Sequence, residues 1–295
     1  MNIAVLDIGG TAVKSGLWTG EGLEEKREEA THAREGGGRL MEQAKEILRR
    51  YHGFEAIGIS TAGQVDTRDG SIFYANDNIP GYTGTQVKKI LEEEFQVPVA
   101  VENDVNAAAL GELYYGAAKG LSDFLCLTYG TGVGGAIVIN GGIYYGSSFF
   151  AGSFGGIVVH PEDMGQGEFA GCYEKYASAT ALVRRAKAVD ASLDNGKKIF
   201  AAMNRPQIKE IVDRWIDEVT YGLVSLVHIF NPSDLVLGGG VMAQQYVTEE
   251  IRKRIPGRIS PGTAGVRIRQ AALGNQAGLM GAVHLAQEAV RNSGK

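Results

Sequence analysis

Two Gly-rich turns about 120 residues apart constrain this chain more than any other feature. The first is Ala4-Val5-Leu6-Asp7-Ile8-Gly9-Gly10-Thr11. The second is Leu125-Cys126-Leu127-Thr128-Tyr129-Gly130-Thr131-Gly132-Val133-Gly134-Gly135. In both, a short apolar run of β character breaks into a tight turn and resumes as a second apolar run. Glycine reaches positive φ and lets the backbone approach a ligand closely, so such turns suit phosphate held by main-chain N–H groups. A pair of them, the first with a carboxylate at its mouth, points to a nucleotide gripped between two related half-molecules.

Composition narrows the class. The 295 residues allow two domains or one large one, and 44% hydrophobic residues supply an ordinary globular core. Glycine stands out at 42 residues, and it gathers at strand ends, which argues for turns and not for a disordered linker. The net charge of −5, with no basic run beyond Lys88-Lys89, Arg184-Arg185 and Lys197-Lys198, leaves no footprint for nucleic acid. Cys126 and Cys172 make neither a disulfide framework nor a metal cluster. No apolar stretch approaches the roughly 18 residues that span a bilayer, and no signal peptide is evident. A soluble cytoplasmic protein without nucleic-acid or membrane partners is expected.

The pattern along the chain alternates β and α. Residues 2–7, 13–18 and 23–30 read as a three-strand meander. A helix over 38–51 carries Leu40, Met41, Ala44, Ile47 and Leu48 as one stripe. A strand over 56–60 leads into a loop at 61–66. A helix over 86–95, a strand over 97–102 and a helix over 105–115 follow. The second half repeats the theme, with strands at 123–129, 135–140 and 143–145, an irregular stretch over 146–172, and a helix beginning near Glu174. A long helix over 207–230 places Ile211, Trp215, Val219, Leu223 and Leu226 on one face and stops at Asn231-Pro232. Strands at 234–237 and 266–272 and a final helix over 277–290 complete the plan. This is the signature of a duplicated α/β core with a cleft between the copies, where ligands sit at the carboxyl ends of strands. No Walker A pattern and no dinucleotide fingerprint is present.

Four motifs, in order and at normal spacing over essentially the whole chain, resemble those of the ROK family of bacterial sugar kinases and related repressors. They are Asp7-Ile-Gly-Gly-Thr11, Glu102-Asn103-Asp104-Val-Asn106, Thr128-Tyr-Gly-Thr-Gly-Val-Gly-Gly135 and Leu237-Gly-Gly-Gly240. The resemblance implies a duplicated ribonuclease-H-like (actin-like ATPase) two-lobe fold with a central cleft. The small lobe would hold 1–115 plus about 279–295, and the large lobe 116–278. It implies ATP and Mg²⁺ as cofactors, a sugar as substrate, and a homodimer.

Roles carry over residue by residue. Asp7 would lie beside the Mg²⁺, usually through water, since Mg²⁺ keeps several waters and takes one or two carboxylates. Gly9, Gly10 and Thr11 would face the phosphates. Gly130, Thr131 and Gly132 would form the second phosphate loop, and Gly238, Gly239 and Gly240 the adenosine segment. Asp104, where a strand ends and a helix starts, is the expected general base, its carboxylate kept ionised by the helix dipole. Asn103 or Asp104 can equally cap that helix. Asn103 would hydrogen-bond the sugar, with Gly63 and the Asn78 turn nearby.

Departures from the family pattern lie on the sugar side. Where many members carry G-E-x-G-H and then C-x-C-G-x-x-G-C-x-E, this chain reads Gly152-Ser153-Phe154-Gly155-Gly156 and then Gly165-Gln-Gly167-Glu-Phe-Ala-Gly171-Cys172-Tyr-Glu174. Three of the four zinc ligands are missing, so no zinc is expected, and His160 reads as a surface or supporting residue. Glu174 keeps one sugar-binding carboxylate, whereas Ser153 replaces the other. A different epimer, a substituted sugar or a disaccharide therefore competes with plain glucose. Zinc-less β-glucoside kinases and some N-acetylmannosamine kinases are of this general kind. The expected activity is ATP-dependent phosphorylation of a sugar hydroxyl, most simply the 6-OH. Alternatives are a non-catalytic or weakly active sugar-binding protein and a ROK repressor. The repressor needs a DNA-binding segment ahead of the first motif, which here begins at residue 4.

Overall fold

The computed structural model describes residues 1–293. The residues sort into two compact units. One comprises Met1–Lys119, Tyr145–Ala151 and the C-terminal stretch from Asn275; the other comprises Gly120–Tyr144 and Gly152–Gly274.

In the first unit, β1 (Ile3–Ile8), β2 (Ala12–Trp18) and β3 (Leu23–Ala30) form the meander, followed by α1 (Gly37–Leu48) and β4 (Ala56–Thr61). A hairpin of β5 (Gln64–Asp66) and β6 (Ser71–Tyr74) precedes α2 (Val87–Phe95), β7 (Val99–Asn103) and α3 (Asp104–Tyr115). The sheet order is β3-β2-β1-β4-β7, antiparallel in the meander and parallel across β1, β4 and β7. The apolar sequences of β1 and β4 account for their central places, since parallel strands are covered on both faces. β3 is Leu-Glu-Glu-Lys-Arg-Glu-Glu-Ala, a charged edge that resists pairing with another chain. On α1 the expected stripe is the buried face. The region 61–66, read as a loop, instead supplies β5. Strands of three and four residues are too short for alternation to declare them.

The second unit repeats the arrangement. β8 (Phe124–Tyr129), β9 (Val133–Ile139) and β10 (Gly142–Ile143) form its meander. After them come α4 (Glu174–Ala177), α5 (Ala179–Lys187), α6 (Gly196–Ala201) and α7 (Pro206–Phe230). β11 (Asp234–Gly238), α8 (Gln245–Arg254) and β12 (Arg267–Gln270) complete it. The sheet order β10-β9-β8-β11-β12 is that of the first unit. Buried Asp234 ties β11 to β12 through Arg267 at 2.8 Å and Arg269 at 2.5 Å. Three details differ from the sequence reading. The helix expected from Glu174 stops after one turn: Ser178 takes an extended backbone and its side chain caps α5. The carbonyls of Ala177 and Ser178 accept from the buried Trp215 indole, which holds that break. Tyr145, expected in the third strand of the meander, leaves it and joins the first unit. On α7 the buried stripe runs through Ile208 and Val212, with Ile211 at its margin.

The last helix, α9 (Ala277–Ser293), belongs to the first unit and lies on α3, β1 and β4. A Cβ on Gly281 would run into the Ala107 backbone, one on Gly111 into Ala277, and one on Gly58 into Ala282. Glycine at these positions lets backbones touch. Among the described residues no helix is long and apolar enough to cross a membrane.

Candidate active site

Strand register in the first unit assembles the carboxylates. Asp7 of β1 pairs with Ser60 of β4, and Ser60 with Glu102 of β7; one residue on, Ile8 pairs with Thr61 and Thr61 with Asn103. Asp7 Oδ1 accepts from Ser60 Oγ at 2.7 Å, and Oδ2 from Lys14 Nζ at 3.3 Å. A Cβ at Gly278, near the start of α9, would lie 2.9 Å from both Asp7 Oδ1 and Ser60 Oγ, so glycine there makes room for this pair. Beside them the Gly9-Gly10-Thr11 turn is closed by Gly9 N–H to the Ala12 carbonyl (2.9 Å), with Gly10 and Thr11 exposed.

The Asn103-Asp104 pair divides its labour. Asn103 is the cap of α3: its Oδ1 accepts from the N–H groups of Val105 (3.0 Å) and Asn106 (3.2 Å). Its Nδ2 donates to the Gly63 carbonyl at 2.9 Å and to Asp104 Oδ1 at 3.0 Å. Asp104 is the first helical residue, with Oδ1 also accepting from Val105 N–H at 2.9 Å. Its Oδ2 has no protein donor among the described residues. Burial and the nearby Asp7 charge push the Asp104 pKa up to about 6, against these hydrogen bonds. Burial and Asp7 thus act against the hydrogen bonds at the start of the helix, and the balance lies above the usual carboxylate range. At neutral pH the group is still mostly ionised, close to the optimum for a base.

Sequence reasoning missed what holds this pair. Glu102 is buried, and its Oε1 accepts from Asn103 N–H (2.8 Å) and Asn106 Nδ2 (3.1 Å) while Oε2 accepts from Tyr145 OH (2.7 Å). Burial pushes its pKa up, the three hydrogen bonds acting against that. Lys14, the only cation bonded to Asp7 among the described residues, was missed as well. A lysine three residues past the Gly10-Thr11 turn was the available signal. The remaining sugar-side candidate in this unit, Asn78, lies exposed in a turn where its N–H donates to Asn76 Oδ1.

In the second unit, the Gly130 turn is closed by Gly130 N–H to the Gly132 carbonyl (3.0 Å), with Thr131 exposed. The Glu174 carboxylate packs on this turn: a Cβ at Gly132 would lie 2.5 Å from Glu174 Oε2, and one at Gly155 3.1 Å from it. Ser153 is exposed beside Gly155, and Gly156 borders open space. Of the Gly238-Gly239-Gly240 run, Gly239 is demanded by the backbone, with φ +102° and no room for a Cβ against the Tyr129 main chain. Gly240 leaves its surroundings open. Cys172 pairs by backbone bridge with Val158, and among the described residues no group of three or more His, Cys, Asp or Glu is arranged to hold a metal. His160 lies between Glu162 (2.7 Å) and Glu218 (2.8 Å), with Arg185 also on Glu218 (3.0 Å).

Two sheets of one strand order, each with a Gly-rich turn after its first long strand and glycines or carboxylates at its parallel strand ends, define the actin-like ATPase class of fold. The ROK family model matches residues 3–289. The chain belongs to the ROK family. It is 33% identical to a glucokinase of Halalkalibacterium halodurans, covering 94% of this chain and 92% of that one. It is 33% identical to a β-glucoside kinase of Listeria innocua, over 99% and 100%. The crystal structure of a ROK family glucokinase from Streptomyces griseus, in complex with glucose and AMPPNP, superposes with a TM-score of 0.84. That match has 31% identity and covers 98% of this chain and all of that one.

Proposed function

We propose that this chain transfers the γ-phosphoryl group of ATP to a hydroxyl of a hexose or hexose derivative, with Asp104 as general base. The observation that carries the reading is the Asp104 carboxylate itself: Oδ1 is fixed by two donors, Oδ2 is left open, and the pKa is about 6. Such a group can take the hydroxyl proton as the phosphoryl group departs and remain the base across neutral pH. Asn103 orients it through Nδ2, and Glu102 orients Asn103. The glucokinase and β-glucoside kinase relatives and the glucose and AMPPNP complex support the same chemistry.

The residues fit a Mg²⁺–nucleotide. Asp7 offers an oxygen held only by Lys14 among the described residues, suited to a water-mediated contact, and Gly10 and Thr11 present exposed backbone. When bound, Mg²⁺ neutralises charge on the phosphates. Lys14 adds a cation beside the Gly9 turn, and Gly130 to Gly132 with Gly238 to Gly240 take the rest of the nucleotide. Asn78, Gly63, Ser153 and Glu174 are assigned to the sugar, and no structural zinc is assigned. Ser153 specifically favours one rival, a sugar-binding protein without turnover. ADP release across hexoses, amino sugars and glucosides, with Asp104→Asn as control, separates the two. Turnover of at least one sugar that the variant loses is expected. Turnover of none favours the rival, and turnover surviving in the variant removes Asp104 as base.

A further inference from the structure

Residues 145–151 belong to the first unit, although the chain on either side of them belongs to the second. They form a closed loop, since Ala151 N–H donates to the Tyr145 carbonyl at 3.2 Å. Two side chains fasten it. Tyr145 OH donates to Glu102 Oε2 at 2.7 Å. Phe149 meets Phe73 of β6 edge-on, with ring centroids 5.8 Å apart, and the Arg68 guanidinium lies over its ring at 5.0 Å. Asp66 of β5 holds that guanidinium at 2.8 and 2.5 Å. Phe149 also takes a left-handed backbone with φ +59°, which costs a non-glycine residue energy and persists only where neighbours enforce it.

Glu102 is where this loop reaches the start of α3. Its Oε1 takes the N–H of Asn103, the helix cap, and the side chain of Asn106, so it grips both ends of the first turn. No cation bonds this buried carboxylate among the described residues, and three hydrogen bonds alone offset its desolvation. Without the Tyr145 hydroxyl, Oε2 has no donor, and the side chain must turn or take a proton. Asn103 is held from the other side by the Gly63 carbonyl, which accepts from its Nδ2 at 2.9 Å immediately before β5. The contacts therefore close into a ring. It runs from Tyr145 through Glu102, Asn103 and Gly63, along the β5–β6 hairpin to Phe73, and across to Phe149 in the loop that carries Tyr145. Asp104 Oδ1 takes its side-chain donor from this ring, Asn103 Nδ2 at 3.0 Å.

We propose that Tyr145 and Phe149 are positioning residues for Asp104: Tyr145 sets the base through Glu102 and Asn103, and Phe149 pins the loop that presents Tyr145. This rests on the reading of Asp104 as base given above. Neither residue acts on the acceptor, so both bear on kcat and little on KM.

The test measures ADP release across hexoses, amino sugars and glucosides, and amide exchange of the nucleotide-free protein, for wild type, Tyr145→Phe and Phe149→Gly. Tyr145→Phe keeps the ring and deletes only the hydroxyl; Phe149→Gly removes the ring and suits the left-handed backbone. Each should lower kcat about tenfold, by the same factor for every acceptor, with KM for sugar and ATP moved by under about twofold. The Val105 and Asn106 amides, which donate to Asn103 Oδ1, should exchange faster than in wild type. Placed on Asp104→Asn, neither substitution should lower the residual turnover further, because effects exerted through one group do not add. Unchanged kcat in Tyr145→Phe, equal losses on both backgrounds, or a loss confined to KM overturns the assignment, and so does amide exchange that neither substitution alters. Failure of the base reading looks different: wild type releases no ADP with any acceptor, or Asp104→Asn keeps its turnover, while exchange still reports whether the loop holds the start of α3.

Discussion

Asp104 is partly buried at the start of α3 with a pKa near 6, raised from 3.8 by burial and by Asp7. A carboxylate raised in this way is one that the fold prefers protonated. Its ionisation penalty is absent below about pH 4 and is complete above about pH 6. The shift corresponds to at most about 3 kcal/mol, and to about 1–2 kcal/mol once solvent access is allowed for. Asp104→Asn keeps an Oδ1 acceptor for Val105 N–H and Asn103 Nδ2 but carries no charge. We expect the variant to melt several degrees above wild type at pH 7.5, the gap closing by about pH 4, while kcat falls about 10²–10⁴-fold. Scanning calorimetry at both pH values checks this; equal melting temperatures at pH 7.5 would show that the carboxylate is not strained. The sequence declares Asp7 and Asp104 because each sits in a recognisable motif. It does not declare Glu102, Lys14 or Tyr145 as supports, because their partners are set by strand register and by a segment that returns from residue 145.

At the scale of elements, the meanders, the two helix–strand–helix repeats and the long α7 are legible from periodicity and glycine punctuation. What hides is short or tertiary: the β5–β6 hairpin, and the break at Ser178 that the Trp215 indole stabilises. The glycines of α3 and α9 look like weak points for helices, yet they are what allow the two backbones to meet. Gly281→Val should therefore cost at least about 2 kcal/mol, since the added atoms have the Ala107 main chain and no cavity to enter; chemical denaturation reads it, and a change under half that size would refute the close packing. The segment around 157–172 poses a different question, because three family zinc ligands are missing. His160 bridging Glu162 and Glu218 supplies an ionic fastening there. Burial pulls the imidazolium down, but the two carboxylates outweigh it and raise the pKa. A raised histidine stabilises most below its unfolded pKa and loses that contribution as pH rises through its folded value. His160→Ala should expose this segment to limited proteolysis more at pH 6 than at pH 8.5, and chelator should leave wild type unchanged. A chelator-sensitive wild type with stoichiometric zinc would replace this account.

For the whole molecule, the repeated meander and helix–strand–helix pattern and the four motifs are written plainly enough to give fold and chemistry, whereas acceptor preference is not. The phosphate turns are local loops that a sequence shows directly, whereas the supports of the Asn103-Asp104 pair come from strand register and from the segment that returns at Tyr145. The same division shapes the response of the entire chain to pH. Buried Asp234, held by Arg267 and Arg269, has its pKa at about 2 despite the opposing effect of burial, so its stabilisation is present above about pH 4 and is lost as pH falls toward 2. Asp104, raised to about 6, weakens the unliganded fold as pH climbs from about 4 past 6, and Glu102, also raised chiefly by burial, acts in the same sense. His160 likewise withdraws its contribution on the alkaline side. Of these groups, Asp104, Glu102 and His160 favour the unliganded fold on the acid side of neutrality, while lowered His284 acts the other way. Turnover needs Asp104 ionised, so kcat/KM for the free enzyme should rise through about pH 6 and level off above it. Across one buffer series from pH 4 to 9, the melting temperature should thus already be falling in the range where kcat/KM reaches its plateau. In Asp104→Asn the alkaline decline of the melting temperature should become shallower. A melting temperature that holds level up to that plateau in wild type, or an unchanged decline in the variant, would mean that the base carries no stability cost and that its raised pKa is not a property of the folded chain.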